Sequence, residues 1–88
     1  GSIQTLTVPA SPDAISTEII ARFIRLVVRG GSSGVLVEFS AGEGSVTSAA
    51  DGFYLPPDLP ELFNFLGMRF VRATTTTGTA TLEISEME

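Results

Sequence analysis

The chain has 88 residues, and its composition excludes several kinds of site at once. It contains no cysteine and no histidine, which excludes a disulfide, a thiolate metal site, a cysteine nucleophile and a histidine general base. All five positive residues are arginines, and the net charge is −5, so little drives nonspecific binding to nucleic acid.

The low charge content predicts self-association. Charged residues make up 17% of the chain, against about 25% in an ordinary globular domain. A domain of this size has a large surface for its volume, so a monomer needs polar residues to cover that surface. We therefore expect a homo-oligomer, either a dimer or a trimer, although abundant Ser, Thr and Gly are an alternative cover. No apolar run approaches the ~20 residues of a membrane span, and the N-terminus does not resemble a signal peptide.

The N-terminal part predicts one strand followed by an arm. Gly1 and Ser2 are typical of residues left by cloning, so we expect a single domain over residues 3–88, with the strand and arm at 3–20 and a β core at 21–88. Residues 3–8 alternate in polarity and stop at Pro9, which indicates a strand. The signals in residues 10–21 conflict, and we favour an arm with at most one or two helical turns, because so short an isolated helix is marginal.

Two strands at residues 21–29 and 35–40 are predicted to form a hairpin around the Gly- and Ser-rich residues 30–34. In the register that places Gly30 opposite Val35, the outer face brings Glu38 opposite Val27 and diagonal to two arginines. The core face then carries Ile24, Leu26, Val28, Val35, Val37 and Phe39.

The aromatic stretch at residues 52–70 is the expected folding centre, because it holds five of the seven aromatic residues and three of the five prolines. It follows a small-residue loop at 41–51, which we expect to be mobile. Strands at 53–55 and 61–66 flank a turn at 58–60, with Phe63 and Phe65 pointing inward.

The C-terminal part predicts a second hairpin. Strands at residues 68–73 and 79–86 flank a Thr- and Gly-rich loop, and pairing Phe70 with Leu82 and Met68 with Ile84 fills the core face. This register places Arg69 opposite Glu83. About seven short strands with Gly- and Pro-rich turns predict an all-β fold, either a small antiparallel β-sandwich or a jelly-roll-like barrel.

The sequence offers little for catalysis. Without histidine or lysine, neither a Ser–His–Asp nor a Ser–Lys arrangement is available. Asp51, Asp58 and Glu61 surround the proline turn, where turn formation is a better interpretation than a glycosidase pair. The glycine-rich loops lack the following helix and lysine of a phosphate loop. A calcium site from Glu43, Asp51 and Asp58 lacks a recognisable ligand spacing. We expect no enzyme activity, metal or cofactor.

Four residues are candidates for an interface. Arginines on the strand at residues 21–29 are suited to gripping a partner's carboxylates in bidentate fashion. They are equally suited to solubilising a sheet face and pairing with Glu38, and both interpretations stay open. Two aromatics of residues 52–70 are candidates for facing a partner instead of the core. The candidates are Arg25, Arg29, Phe53 and Tyr54.

The order of these features supports a family resemblance. A FIRLVV strand leads into VLVEFS, and a small-residue segment then precedes GFYLPPDLPELFNF. A late FVRA strand, a Thr/Gly loop and a closing TLEISEME complete the pattern. From Phe23 to Met87 the chain thus resembles small virion proteins of tailed bacteriophages, of the capsid decoration (cement) kind. These are patterns, not catalytic motifs, so no functional residue is transferred from the family.

The resemblance implies a compact β module that sits on a capsid lattice and clamps neighbouring capsomers. It implies a dimer or trimer, a major capsid protein or other virion protein as partner, and a location on the virion surface after production in the bacterial host cytoplasm. Residues 3–19 would be an arm that orders on binding. The chain is shorter than many decoration proteins, which leaves a tail or head–tail role open. A carbohydrate- or receptor-binding β-sandwich is the alternative, and it requires an exposed ring at Phe53 or Tyr54.

Overall fold

Two four-stranded antiparallel sheets pack face to face in the computed structural model, which describes residues 3–10, 12–29, 34–42, 49 and 52–87. Sheet A has the strand order β1-β8-β3-β6, and sheet B has the order β2-β7-β4-β5. The all-β prediction is confirmed as a sandwich, with eight strands in the described residues where about seven were predicted. The strands are β1 (Ile3–Val8), β2 (Ala14–Ile15), β3 (Phe23–Arg29), β4 (Val35–Ser40), β5 (Phe53–Leu55), β6 (Glu61–Asn64), β7 (Phe70–Thr75) and β8 (Ala80–Glu86).

The core lies between the sheets, where alternate residues of each strand point inward. The predicted inward faces of β3 and β4 are confirmed, and so is the burial of Phe65, which has no exposed surface. Its ring contacts Phe39 edge to face, with 5.1 Å between ring centroids. Phe63 packs against the same core and is partly buried. The fully buried strand residues include Ile24, Leu26, Val28, Leu82 and Ile84 from sheet A and Val35, Val37, Val71 and Ala73 from sheet B.

Neither predicted hairpin forms. β3 pairs with β8 and β6, whereas β4 pairs with β7 and β5, so these two consecutive strands lie in opposite sheets. The same is true of β7 and β8. The physical reason is that a period of two determines which face a side chain occupies but not which strand lies beside it. A hairpin and a crossing between sheets bury the same residues.

The charge pairs predicted from those hairpins were therefore wrong. Glu38 lies opposite Arg72 in sheet B, and not opposite Val27. Glu83 is the residue opposite Val27, and its Oε2 lies 3.5 Å from Nε of Arg29. Arg69, which was predicted opposite Glu83, instead pairs with the carboxylate of Glu18.

The prediction that Phe70 points into the core was also wrong. β7 turns Val71, Ala73 and Thr75 to the core, so Phe70 lies on the outer face of sheet B, opposite Ser40. The prediction aligned the strand by its largest apolar residues, whereas smaller residues fill the inner positions. The strand also begins later than predicted, because Gly67 adopts a φ of +87° in a turn before it.

The segment that was predicted as an arm forms an edge of sheet B. The described residues of this segment, 10 and 12–21, form no helical turn, and β2 pairs with β7 instead. The Ser16 amide donates to the Val71 carbonyl at 2.9 Å, and the Ile19 amide donates to the Arg69 carbonyl at 2.8 Å. Ile19 has no exposed surface. Both β1 and this edge therefore share the core with the rest of the described chain.

Two turns bring β5 and β6 into place. The Gly52 backbone passes so close to β4 that an added Cβ would lie 1.8 Å from the Val37 carbonyl oxygen, which explains the glycine. The predicted turn after the prolines is present, with Asp58 at a φ of +61° and its amide donating to the Val28 carbonyl at 2.9 Å. Of the loops predicted at 30–34 and 41–51, residues 30–33 of the first and residues 43–48, 50 and 51 of the second lie outside the described residues.

Candidate interaction surface

The outer face of sheet A gathers exposed apolar side chains. The pairing of its four strands places Ile3, Ser85, Arg25 and Leu62 side by side in one row. Phe23 precedes Arg25 by two positions on the same face, and the Met87 amide donates to its carbonyl at 2.9 Å. The exposed fractions are 66% for Ile3, 65% for Leu62, 44% for Phe23 and 42% for Met87. We call Ile3, Phe23, Arg25, Leu62 and Met87 the sheet A face.

Two polar atoms beneath this face have no partner. Nε of Arg25 and the hydroxyl of Ser85 are buried and make no hydrogen bond within the described part of the chain. The pairing of β3 with β8 places these two residues opposite each other. A buried polar atom without a partner costs about 1–3 kcal/mol. The sheet A face therefore combines exposed apolar side chains with two unpaired polar atoms that are shielded beneath it.

A groove of about 620 Å³ lies next to the sheet A face. Ala21 and Arg22 line it and lead directly into Phe23. On its other side lie exposed Leu66 and Met68. The groove thus extends the apolar surface around the end of the sandwich, with an arginine at its rim.

The predicted interface residues are divided between the sheets. Arg25 and Arg29 share the outer face of sheet A, where Arg29 pairs with Glu83. Tyr54 lies on the outer face of sheet B and is 54% exposed, and its phenol oxygen accepts a hydrogen bond from the Gly34 amide at 3.2 Å. Phe53 is half-buried on the inner side, where its ring meets that of Phe39 edge to face at 5.6 Å. These four residues do not form one surface.

The outer face of sheet B is covered in part by the chain itself, although Tyr54 and Ile15 on this face are 54% and 37% exposed. Thr74 is 6% exposed, and its hydroxyl donates to the Ala10 carbonyl at 2.8 Å. The Ala49 amide donates to the Asp13 carboxylate at 2.9 Å, and Ala49 has no exposed surface. Segments before β2 and before β5 thus pack onto this sheet.

The acidic residues near the proline turn show no metal-binding arrangement where the structure describes them. No group of three or more His, Cys, Asp or Glu side chains could hold a metal ion within the described ranges. Glu43 and Asp51 lie outside those ranges, so the structure does not test an acid pair or a calcium site that includes either residue. Among the residues described, no helix is long and apolar enough to cross a membrane.

Comparison with known proteins gives no relative: no family model, curated protein or solved structure matches the chain. Sequence reasoning found Arg25 but missed Ile3, Leu62 and Met87. The sequence did contain a signal for these residues: an apolar residue at a strand position that the alternation assigns to the outward, polar face. Leu62, for example, alternates with the inward-facing Phe63 and has 65% of its surface exposed.

Proposed function

We propose that the chain is a non-enzymatic structural protein of a bacteriophage virion, a capsid decoration protein that self-associates and stabilises the head lattice. The observation that carries the proposal is the sheet A face, where four large apolar side chains lie exposed around Arg25. The resemblance of residues 23–87 to cement proteins supports the same role. A clamp of this kind needs no histidine, lysine or cysteine, and the chain has none.

The chemistry of the sheet A face fits a protein partner. Burying apolar surface is worth about 25 cal/mol per Å², and interface cores favour aromatic residues, Met and Arg over Lys and acidic residues. The sheet A face has this composition. Arg25 lies among these side chains, and a guanidinium suits a carboxylate on the partner, which would be the major capsid protein or another virion protein. A tail or head–tail position uses the same contact and remains the nearest variant of this role.

The second candidate is a carbohydrate- or receptor-binding module. The exposed Tyr54 favours this function, because β-sandwiches that bind carbohydrates stack the sugar ring on an exposed aromatic side chain. Phe53 does not extend that platform, since it packs against Phe39 and Phe63. The candidate therefore depends on Tyr54 alone, and Tyr54→Ala should abolish glycan binding on an array if this is the function.

Light scattering and capsid binding test the leading proposal. The purified protein should be larger than a monomer at high concentration, and it should sediment with empty capsids of the phage that encodes it. Leu62→Asp should weaken capsid binding at least about tenfold, because it places a charge on one of the two most exposed apolar side chains of the sheet A face. Leu59→Asp is the matched control: this leucine is 52% exposed but lies in the turn before β6, so binding should be unchanged.

The outcomes separate the candidates. A strict monomer that does not sediment with capsids would overturn the decoration role. Equal loss in Leu59→Asp and Leu62→Asp would show that the sheet A face is not the contact surface.

A further inference from the structure

The four edge strands of the sandwich differ in how they are protected. A sheet edge presents unpaired backbone donors and acceptors, and proteins usually block it with prolines, charges or short strands. β2 has two residues and β5 has three, and Pro56 follows β5 directly. β6 begins with the charged Glu61, immediately after Pro60. These three edges are thus short, and β6 also carries a charge, two features that discourage pairing.

β1 is the longest of the four edge strands and carries no charge, although Pro9 follows it directly, as Pro56 follows β5. Its six residues, IQTLTV, contain no proline, no glycine and no charge. They pair with β8 on one side. β1 is the outermost strand of sheet A, and its Gln4 Oε1 accepts hydrogen bonds from the Thr17 amide at 3.1 Å and the Thr17 hydroxyl at 3.2 Å. The backbone of this edge remains available along a strand about 20 Å long.

We propose that β1 pairs in antiparallel fashion with β1 of a second copy of the chain, which joins two A sheets into one sheet of eight strands. The pairing rests on the proposed self-association and names the surface responsible for it. An antiparallel pair of identical strands obeys twofold symmetry, so each copy offers the same surface. Each copy has a net charge of −5, and an uncharged edge is where two such copies approach with least repulsion.

The side-chain pattern restricts the register. Both cores stay on the same side of the joined sheet when the twofold axis passes through a residue of β1 and not between two residues, and the axes through Thr5 and through Leu6 pair the longest part of the strand. The first register pairs Thr5 with Thr5, and the second pairs Thr5 with Thr7. Either one brings Thr5 of one copy next to a threonine of the other on the outer face. The sheet A faces of the two copies then become continuous, with Ile3 near the seam.

A charge exchange at Thr5 tests this pairing. Thr5→Lys and Thr5→Glu should each weaken the dimer at least about tenfold in sedimentation equilibrium, because a charged side chain on an edge strand opposes pairing. An equimolar mixture of the two should form heterodimers with an affinity within about threefold of the unmodified protein in the Thr5–Thr5 register, since opposite charges pair across strands. Thr76→Lys, at an exposed turn position, is the matched control and should leave the dimer unchanged.

Hydrogen exchange on the unmodified protein provides a second measurement that needs no variant. Alternate β1 amides should become protected as the concentration rises through the dimerisation range. A dimer that survives Thr5→Lys, or whose β1 amides stay unprotected, would overturn the β1 pairing while leaving self-association intact. A monomer at every concentration would overturn both. Failure of the mixed variants to associate would overturn the register centred on Thr5.

Discussion

The two outer faces of the sandwich are built from similar strands, but the rest of the chain covers them to different extents. Across sheet B, the segments before β2 and β5 pack onto the surface, and Thr74 and Ser40 are 6% and 3% exposed. Across sheet A, Ile3 and Leu62 at the two edges are each about two thirds exposed. The chain covers part of sheet B with its own segments, although Tyr54 there is 54% exposed, and it leaves the more exposed apolar side chains of the two faces on sheet A.

This difference indicates what each face contributes. The hydrogen bond from Thr74 to Ala10 and the bond from Ala49 to Asp13 attach connecting segments to sheet B, so that face contributes to folding. The sheet A face stabilises the monomer little, because its apolar side chains stay in water. Retaining apolar surface of this kind is typical of a site that is buried on assembly. Substitutions at matched positions can therefore separate folding from assembly.

The largest expected effect concerns the core that both sheets share. Phe65→Ala removes a fully buried ring and should lower the free energy of unfolding by about 3–5 kcal/mol. For a domain of this size that corresponds to a fall in Tm of more than about 10 °C, measured by circular dichroism or calorimetry.

Phe23→Ala is the matched control on the sheet A face. Because 44% of Phe23 is already exposed, the same substitution should lower the free energy of unfolding by only about 1 kcal/mol. It should nevertheless weaken assembly, which Phe65→Ala does only through unfolding. Equal destabilisation by the two variants would contradict the division between folding core and open face.

A smaller effect is expected where the chain covers sheet B. Thr74→Val keeps the shape of the side chain but removes the hydroxyl that donates to the Ala10 carbonyl, and it should cost about 1 kcal/mol in chemical denaturation. Thr7→Val makes the same change at an exposed position of β1, where the expected change is within about 0.5 kcal/mol. If Thr74→Val proved as neutral as Thr7→Val, the attachment of this segment to sheet B would contribute nothing to folding.

The fold class could be predicted from the sequence because alternation depends on each strand alone. The inner positions of β3, β4 and β8 follow directly from their apolar residues. Strand partners could not be predicted, because β3 and β4 bury the same side chains whether they form a hairpin or lie in opposite sheets. The prediction of which β7 residues point inward was wrong for a related reason. Phe70 is the largest residue of the strand, yet Val71 and Ala73 fill the core.

The candidate surface was predictable only in part. Arg25 and Arg29 were correctly placed on one face of β3, since they alternate with buried residues. The neighbours of Arg25 depend on strand order, which brings Ile3 from β1 and Leu62 from β6 into its row. Residues so far apart in sequence become neighbours only when β8 inserts between β1 and β3, and no local pattern encodes that insertion.

The smallest expected effect tests strand order itself. A double-mutant cycle with Arg29→Ala and Glu83→Ala should give a coupling energy of about 0.2–1 kcal/mol that disappears at high salt, because the pair lies at the surface. The same cycle with Arg29→Ala and Glu38→Ala should give no coupling, since these residues lie in opposite sheets. The hairpin predicted from the sequence requires the reverse result. Coupling to Glu38 and not to Glu83 would therefore contradict the separation of β3 from β4, and with it the row of residues that forms the sheet A face.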